Sequence, residues 1–445
     1  MLTELRLSNF RLFDDEVIVR FRPITVLIGE NNAGKSSVVK FLLMLQQSLD
    51  PGTPQFLSPE GDRVHLGIFS ELNNSLTKEQ KLHFELFSDR PVSPSFLLSD
   101  YIKKGDFENI DNSNMKFTSK VEADVFYSSE SQTGTTKYSL IEESTGTEVI
   151  DRPMNVSDDS NFLGTAKKLY QEFDSIKMNH KNPEEMIANL EKMSARLAAE
   201  GEFLGNFRYD ISSLRHLLPI RQEFQRVVLL APPPTTEVGQ NGKYAIPHLH
   251  RMVSANDANY QFIRPHLKNV TGISDIDFEK TSNYMSRCLA QNAATGAKVL
   301  IADYGFGVSQ CLPIFVQGAI MNRETFLMVE QPEAHLHPTA QLEMGSFFCD
   351  LWKKRDVGSI IETHSDNILL RIRRLIATKK LDAKEVSVAY FTYDEENGNM
   401  PIVKNLDINE DGSMVPGLPA QFFGQDIEEA LEIMAGQYEE GHENE

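Results

Sequence analysis

The sequence has few cysteines and no long hydrophobic runs. Only three cysteines occur in 445 residues, and their odd number without paired spacing favours reduced thiols over a disulfide framework. No uncharged apolar run approaches the ~18 residues that a transmembrane helix needs, and the first residues lack the apolar core of a signal peptide. We therefore expect a soluble, cytoplasmic protein without a membrane span.

An excess of positive charge is also missing. Acidic residues outnumber basic ones by 64 to 44, which gives a net charge of −20. This balance argues against a surface that binds nucleic acid everywhere, although it leaves room for a local basic groove. A hydrophobic fraction of 40% is enough for a sizeable core, and the length allows two or three domains.

The most informative stretch is a complete phosphate-binding loop motif, G-x-x-x-x-G-K-[ST]. It reads Gly29-Glu30-Asn31-Asn32-Ala33-Gly34-Lys35-Ser36. An apolar, β-branched stretch at 24–28 predicts a buried strand before it, and 37–49 predicts a helix after it. Lys35 can then neutralise nucleotide phosphates, and the Ser36 hydroxyl can hold Mg²⁺. A surface turn that merely contains glycine would not need this strand–helix context.

A second apolar stretch, Thr325 to Val329, ends in Glu330 and predicts a buried strand that delivers a carboxylate at its C-terminal end. P-loop ATPases use such an acid to hold Mg²⁺, usually through water. Because this Walker B-like strand lies far from the P-loop in the chain, the sequence predicts an ATPase core split by an insertion.

Histidines follow this second motif and one further predicted strand. The strand 360–362 would deliver His364 to the same sheet edge, where open α/β sheets bind ligands, and His364 could hydrogen-bond the γ-phosphate. A surface histidine at a strand end is the alternative. The H-x-H pattern of His335 and His337 also suits zinc, but we rank zinc lower because Mg²⁺–ATP already explains Glu330.

The rest of the chain predicts a β-rich middle and a helical segment. Segments 88–118 and 128–160 are polar and are expected to be loops. Alternating apolar residues predict antiparallel strands, and helical spacing follows them. The predicted strands are 2–9, 17–21, 82–87, 121–127, 137–141 and 386–391, and the predicted helical segments are 165–201 and 425–434.

We divide the chain into four parts on this basis. They are the N-terminal part of the ATPase core with Walker A (1–50), a β-rich segment with a helical insertion (51–210), the C-terminal part of the core (211–400), and a C-terminal helix with an acidic tail (401–445), which we expect to be disordered at its end. Near the return to the core, Arg221 faces either phosphate or nucleic acid, or forms an exposed salt bridge.

These motifs together resemble the SMC/RecF branch of ABC-type ATPases. The resemblance covers about 1–50 and 215–370. It is carried by Asn9-Phe10-Arg11, by 29–37, by the signature-like loop 303–310 and by Thr363-His364-Ser365. Residues 329–338 are similar to small bacterial phage-defence ATPases, which include the overcoming-lysogenisation-defect type and the Septu ATPase subunits. The implied fold is an α/β ABC-type P-loop ATPase head with an antiparallel β lobe and a helical insertion.

The resemblance also implies a head-to-head homodimer, or a higher oligomer built from it, that sandwiches two ATP molecules with Mg²⁺. Each ATP would be bound by the P-loop of one chain and the signature loop of the other. The implied ATP-binding residues are Arg11, Asn31, Asn32, Ala33, Gly34, Lys35, Ser36, Ser37, Gly305, Gly307 and Ser309, with Ser36, Glu330 and Gln46 as metal ligands. From the residues alone, Gly305 and Gly307 are simply a glycine turn before a helix.

One residue departs from the family pattern. Gln331 occupies the position of the usual catalytic glutamate, and an amide cannot take a proton from water. Three explanations remain open. Gln331 positions water natively, as a glutamine does in small GTPases; Glu333 is the base; or Gln331 is an engineered substitution. We favour slow native hydrolysis, with Glu330, Gln331, Glu333 and His364 as catalytic candidates.

The predicted function is an ATP-binding and ATP-hydrolysing switch that controls a separate effector in bacterial anti-phage defence. No Toprim-like or HNH-like cluster is found in the sequence after His364, so we expect a nuclease to be the partner protein. Two alternatives remain. One is a RecF-like DNA-repair ATPase that binds DNA directly, and the other is a scaffold that binds ATP without hydrolysing it.

Overall fold

The structure is a computed structural model of the chain. It describes residues 1–50, 57–67, 72, 81–90, 117–127, 132–142, 148–156, 204–229, 236–394 and 399–417. The helical segments predicted at 165–201 and 425–434, and the acidic tail, lie outside the described residues.

The chain divides into two compact units that interleave along the sequence. The first comprises Met1–Phe21, Asn32–Leu214 and Tyr393–Val403, and the second comprises Arg22–Asn31, Arg215–Thr392 and Lys404–Glu445. One division falls between Asn31 and Asn32, inside the phosphate-loop motif. The chain therefore changes units within its most specific sequence signal.

The first unit contains a six-stranded sheet with the order β2-β1-β4-β5-β6-β7. Its strands are β1 (Leu2–Ser8), β2 (Val17–Arg20), β4 (Lys81–Ser88), β5 (Phe117–Tyr127), β6 (Gln132–Glu142) and β7 (Glu148–Val156). All neighbours pair antiparallel. Along β4, Leu82, Phe84 and Leu86 are fully buried on one face, and Glu85 and Phe87 on the other face are also buried.

The loop predicted over 128–160 is wrong for most of its described residues, because β6 and β7 occupy 132–142 and 148–156. The polar composition of this segment obscured the strands. Pro153 lies on β7 opposite Lys137. A proline is tolerated there because β7 is the last strand in the sheet order and needs no hydrogen bonds on its other side.

Helix α1 (Lys35–Ser48) of the first unit follows the phosphate loop. Its apolar residues Val38, Phe41, Leu42 and Leu45 are fully buried, in agreement with the helical spacing in the sequence. Residues 204–212 of the same unit are also helical. The helix predicted from 37–49 is therefore confirmed.

The second unit contains a seven-stranded sheet with the order β17-β16-β15-β3-β14-β13-β8. The strands are β3 (Ile24–Gly29), β8 (Arg215–Leu217), β13 (Thr325–Glu330), β14 (Val357–Glu362), β15 (Val386–Asp394), β16 (Met400–Ile408) and β17 (Met414–Val415). The five strands β8, β13, β14, β3 and β15 are parallel. The sequences of β3, β13, β14 and most of β15 are largely apolar, which is typical of strands that are buried on both faces, whereas β8 is Arg215-His216-Leu217.

A smaller antiparallel sheet and five helices complete the second unit as described. The sheet consists of β9 (Val228–Leu229), β10 (Ile273–Lys280), β11 (Met285–Asn292) and β12 (Lys298–Leu300), and the helices are α2 (Ala245–Ala255), α3 (Ala258–Thr271), α4 (Phe306–Ile320), α5 (Pro338–Arg355) and α6 (Asp366–Ala377). Helix α4 is buried from Val308 to Ala319 and packs in the core through contacts such as Phe315 with Phe347, whose ring centroids are 4.8 Å apart. Within the described residues, no helix has the length and apolar character to cross a membrane.

Candidate nucleotide site

Five parallel strands of the second unit bring their C-terminal ends to one edge of the sheet. Glu330 at the end of β13 is in register with Glu362 at the end of β14, and Gly29 at the end of β3 is in register with Phe391 of β15. Residues that follow such strands form the ligand-binding edge of open α/β sheets. The structure thus gathers the ends of three sequence motifs in one unit.

Gly29 is required by the close approach of β3 and β15. Its φ is +131°, and a Cβ atom at this position would lie 2.0 Å from the carbonyl oxygen of Phe391. The backbone N–H of Glu30 donates to that same oxygen at 2.9 Å. The side chain of Glu30 accepts a hydrogen bond from the Thr392 hydroxyl, so the first half of the loop is tied to β15.

The second half of the phosphate loop belongs to the first unit and ends at the start of α1. Gly34 has a φ of +105°, and a Cβ atom there would lie 2.3 Å from the Phe13 ring. No side chain caps this helix end, and its first turn contains no acidic residue. The partial positive charge of this helix end is therefore not neutralised by a carboxylate in the first turn of α1. Such a helix end is suited to binding an anion. Lys35 is buried, with 4% exposure.

The predicted ligand Arg11 lies in a tight turn of the first unit. Phe10 and Phe13 form an antiparallel bridge across this turn. Phe10 packs edge-on against Phe41 of α1 with centroids 5.2 Å apart, and Phe13 is the ring beneath Gly34. The turn that carries Arg11 is therefore packed against the junction of the loop and the helix.

The carboxylate of Glu330 is hydrogen-bonded to a buried histidine. His216 Nε2 lies 2.6 Å from Glu330 Oε1, and the His216 side chain is 3% exposed. The Gln240 side-chain amide lies 3.3 Å from His216 Nδ1. Since a carboxylate only accepts and an amide NH₂ only donates, His216 carries its proton on Nε2.

Arg221 connects α4 to β13 through backbone groups. Its guanidinium donates to the carbonyl oxygens of Gln310 and Glu330 at 3.1 and 2.7 Å. The Gln310 amide both accepts from the Arg221 backbone N–H at 2.9 Å and donates to its carbonyl at 3.0 Å. Burial lowers the pKa of Arg221 to about 10, against the opposing effect of Glu333 and Glu330, so it stays charged at neutral pH.

The expectation that Arg221 forms an exposed salt bridge is wrong, because the residue is only 2% exposed. The described contacts of its guanidinium are with carbonyl oxygens of the protein itself. Arg221 thus has a structural role at the C-terminal end of β13, which together with the end of β14 is called the Walker B edge below.

Glu333 links the loop after β13 to the loop after β14. Its two carboxylate oxygens accept from the Thr363 hydroxyl at 2.7 Å and from the His364 backbone N–H at 2.8 Å. Burial raises the pKa of the Glu333 carboxyl, and the two hydrogen bonds oppose that rise. A raised pKa favours a general base, whereas the occupied oxygens favour a positioning role. The side chain of His364 itself is exposed.

Gln331 adopts a left-handed backbone conformation, with a φ of +46°. Its backbone N–H donates to the carbonyl of Glu362 at 2.7 Å. Non-glycine residues seldom adopt this conformation, and those that do are concentrated at functional sites. The chain therefore turns sharply away from β13 at the position where a catalytic glutamate is expected.

The predicted signature residues differ in their environments. A Cβ atom at Gly307 would lie 2.7 Å from the carbonyl oxygen of His335, so this glycine is required for packing within the second unit. The Ser309 hydroxyl donates to the Phe306 carbonyl at 2.7 Å and is buried. Gly305, by contrast, is exposed, and a Cβ atom there would meet nothing within 4 Å.

Gln46, the proposed additional metal ligand, is not brought to the phosphate loop. It lies eleven residues after Lys35 on α1, which is roughly 16 Å along the helix axis. Its side-chain amide donates to the carbonyls of Ser212 and Leu214 at 3.1 and 2.9 Å. The side-chain amide of the neighbouring Gln47 donates to the Ser58 carbonyl and accepts from the Val64 backbone N–H. Both glutamines hold the first unit together.

The oxygen-rich Walker B edge suits Mg²⁺. Glu330, Glu333 and Glu362 follow adjacent strands, and carboxylate oxygens are ligands that Mg²⁺ accepts. The zinc alternative gains no support here, because the His335 ring packs on Phe306 at 4.6 Å. Among the described residues, the group with three ligand atoms within reach of one ion is instead His83, Glu85 and Glu122 in the first unit, where both carboxylates already bind Lys120.

Sequence reasoning missed His216 altogether, and it missed the contacts that Gln310 and Thr363 make. All three are polar residues that the structure buries, with exposures of 8%, 0% and 0%, and an apolar stretch follows directly after His216 and after Gln310. This combination of a polar residue in a core pattern was the available signal. Its partner could not be read from the sequence.

A family model described as the AAA ATPase domain matches residues 1–226 and 235–369 of the chain. The chain belongs to this AAA ATPase domain family. It is therefore an ATPase, and the predicted P-loop ATPase fold is confirmed. No curated protein matches the sequence.

Several solved structures are similar at low identity. An SMC head bound to the C-winged helix domain of ScpA has 13% identity and a TM-score of 0.46, covering 91% of this chain and 98% of that one. An SMC head from Pyrococcus furiosus bound to the ScpA C-terminal domain has 13% identity and a TM-score of 0.43, covering 98% and 99%. The Thermotoga maritima SMC head has 10% identity and a TM-score of 0.37, covering 92% and 99%.

Proposed function

We propose that this ATPase is a switch subunit that dimerises on ATP and controls a separate effector. In the most specific form of this proposal, the effector is a nuclease and the two proteins act in bacterial anti-phage defence. ATP would be bound by residues 29–37 of one chain, with Mg²⁺ held by Ser36 and Glu330. The signature loop of the second chain would close the site.

One observation carries the dimer proposal. The exposed N-terminal end of α4 begins at Gly305, which has open space around it and no side-chain cap. The first turn of α4 contains no acidic residue, so its backbone N–H groups suit a phosphate from another chain. The adjacent Phe306 is 37% exposed, which gives the same surface an apolar contact.

The test is mass measurement by light scattering with and without ATP and Mg²⁺. Gly305→Arg should bind ATP as the unchanged chain does but should no longer gain mass on ATP addition, because the side chain would fill the shared site. Gly205→Arg is the matched control, since Gly205 is also exposed with nothing within 4 Å. A Gly305→Arg variant that still dimerises would overturn the sandwich.

The effector is tested by co-expression with the product of the adjacent gene. We expect ATP-dependent co-purification, nuclease activity in the complex, and reduced phage plating that depends on both proteins. Direct, ATP-dependent binding of DNA by the isolated chain would favour the RecF-like alternative instead.

A scaffold without turnover is the second candidate function. Gln331 supplies no carboxylate, and both oxygens of Glu333 are already hydrogen-bonded. ATP-dependent dimerisation without measurable phosphate release would favour this scaffold.

A further inference from the structure

His216 is a buried polar residue that is hydrogen-bonded to Glu330 near the candidate nucleotide site. It lies on β8, whose residues 215–217 pair in parallel with 327–329 of β13. Its Nε2–H donates to Glu330 Oε1 at 2.6 Å. Such a short bond from a ring nitrogen to a carboxylate is typical of a strong, charge-assisted interaction.

The backbone of Glu330 is fixed independently of this bond. Its carbonyl accepts from Arg221 at 2.7 Å, and its position on β13 is in register with Glu362 of β14. The remaining freedom of Glu330 is therefore the rotation of its side chain. His216 restricts that rotation by holding one carboxylate oxygen.

We propose that His216 is a positioning residue that holds Oε1 of Glu330, so that Oε2 is presented to Mg²⁺ and its bound water. Gln240 supports this arrangement from behind, because its amide next to Nδ1 keeps the ring proton on Nε2. His216 is not a candidate general base. Its Nε2 already carries a proton, its Nδ1 faces Gln240, and its side chain is 3% exposed.

This inference rests on the proposed function only in taking Glu330 as a residue that holds Mg²⁺. The experiment measures the affinity of the full chain for ATP in EDTA and across a MgCl₂ titration. The variants are His216→Phe, which removes the donor, His216→Gln, which retains an N–H donor, and Glu330→Gln. The matched control is His266→Phe, since His266 is also buried and lies 3.4 Å from the carboxylate of Asp350 on α5.

We expect His216→Phe to raise the Mg²⁺ concentration needed for half-maximal ATP binding by about 10-fold or more, the usual effect of removing an outer-shell partner of a metal ligand. Affinity in EDTA should stay within about twofold of the unchanged chain. His216→Gln should restore most of the Mg²⁺ dependence, and His266→Phe should leave it unchanged.

The inference is overturned if His216→Phe behaves like His266→Phe, if it loses affinity equally in EDTA, or if His216→Gln restores nothing. Should His216→Phe fail to fold, Gln240→Leu provides the same test from the Nδ1 side of the ring. A smaller shift in the same direction is expected, and no shift would overturn the inference. A Glu330→Gln variant with normal Mg²⁺ dependence would refute the metal role of Glu330 itself. This result distinguishes a failure of the proposed metal site from a failure of the positioning role of His216.

Discussion

The phosphate loop and the Walker B edge are constructed in different ways. The loop is specified by eight consecutive residues, 29–36, and both of its glycines are explained by positive φ values and close contacts. At the Walker B edge, Glu330 is supported by His216 and Arg221, more than a hundred residues earlier in the chain. Both regions have distant partners, such as Phe391 and Thr392 for the loop, but the loop is recognisable from its own residues, whereas a single carboxylate at a strand end is not.

The difference matters because the two regions handle different parts of Mg²⁺–ATP in the proposed function. Backbone N–H groups of a loop can bind phosphate without side-chain rotation. A carboxylate on a rotatable side chain must be held by neighbours to present a defined oxygen. Substitutions in the loop should therefore affect nucleotide binding as a whole, and substitutions at the edge should affect metal dependence and turnover.

The largest expected effect is the loss of ATP binding in Lys35→Ala. Removal of this buried cation, 4% exposed, leaves the phosphates without a counter-charge and should weaken binding by at least about 100-fold. Isothermal titration or fluorescent ATP displacement measures this. Lys40→Ala on the same helix is the control and should bind normally. Near-normal affinity in a folded Lys35→Ala protein would refute the P-loop assignment.

Gln331→Glu tests whether the Walker B edge lacks a general base for ATP hydrolysis. Glutamine and glutamate accept the same left-handed backbone equally well, so the change should add a carboxylate without refolding the turn at φ +46°. If a missing base limits hydrolysis, phosphate release should rise by about 100-fold or more. If Glu333 is the base instead, this change should do little and Glu333→Gln should stop turnover.

Gly29→Ala tests how tightly the loop is tied to the sheet. The added methyl group would meet the backbone carbonyl of Phe391 at 2.0 Å, and a backbone atom cannot move aside as a side chain can. We expect a loss of about 3 kcal/mol in the free energy of unfolding, measured by urea titration. Gly205→Ala, which meets no atom within 4 Å, should change stability little. Equal stability of the two variants would contradict the close contact.

The smallest expected effect concerns the pH dependence of stability at Glu333. Burial raises the folded-state pKa of this acid above its ordinary value of 4.5, so the folded chain binds more protons than the unfolded chain just above that pH. The unchanged protein therefore loses stability as pH rises through this window. Glu333→Gln cannot titrate and should gain stability relative to the unchanged chain as the pH rises above the ordinary pKa of 4.5. A pH-independent difference in melting temperature would contradict the raised pKa.

Secondary structure was predicted well where the patterns were strong. The strands around 24–28 and 325–329 and the helix after Lys35 appear where their apolar periodicity places them. The segment with β7 was missed because its polar residues and Pro153 obscure the alternation. Strand pairing, which brings β8 beside β13, left no local signal in either stretch.

The sequence by itself determined the phosphate loop, the strand that ends in Glu330 and the ATPase family, because each depends on residue types at fixed spacing. Only the tertiary structure decided that His216 holds Glu330, that Arg221 joins α4 to β13, and that Gln46 is used for packing. The physical reason is that a hydrogen bond between distant residues depends on which strands become neighbours. That choice follows from burial of the whole core and not from any short stretch of sequence.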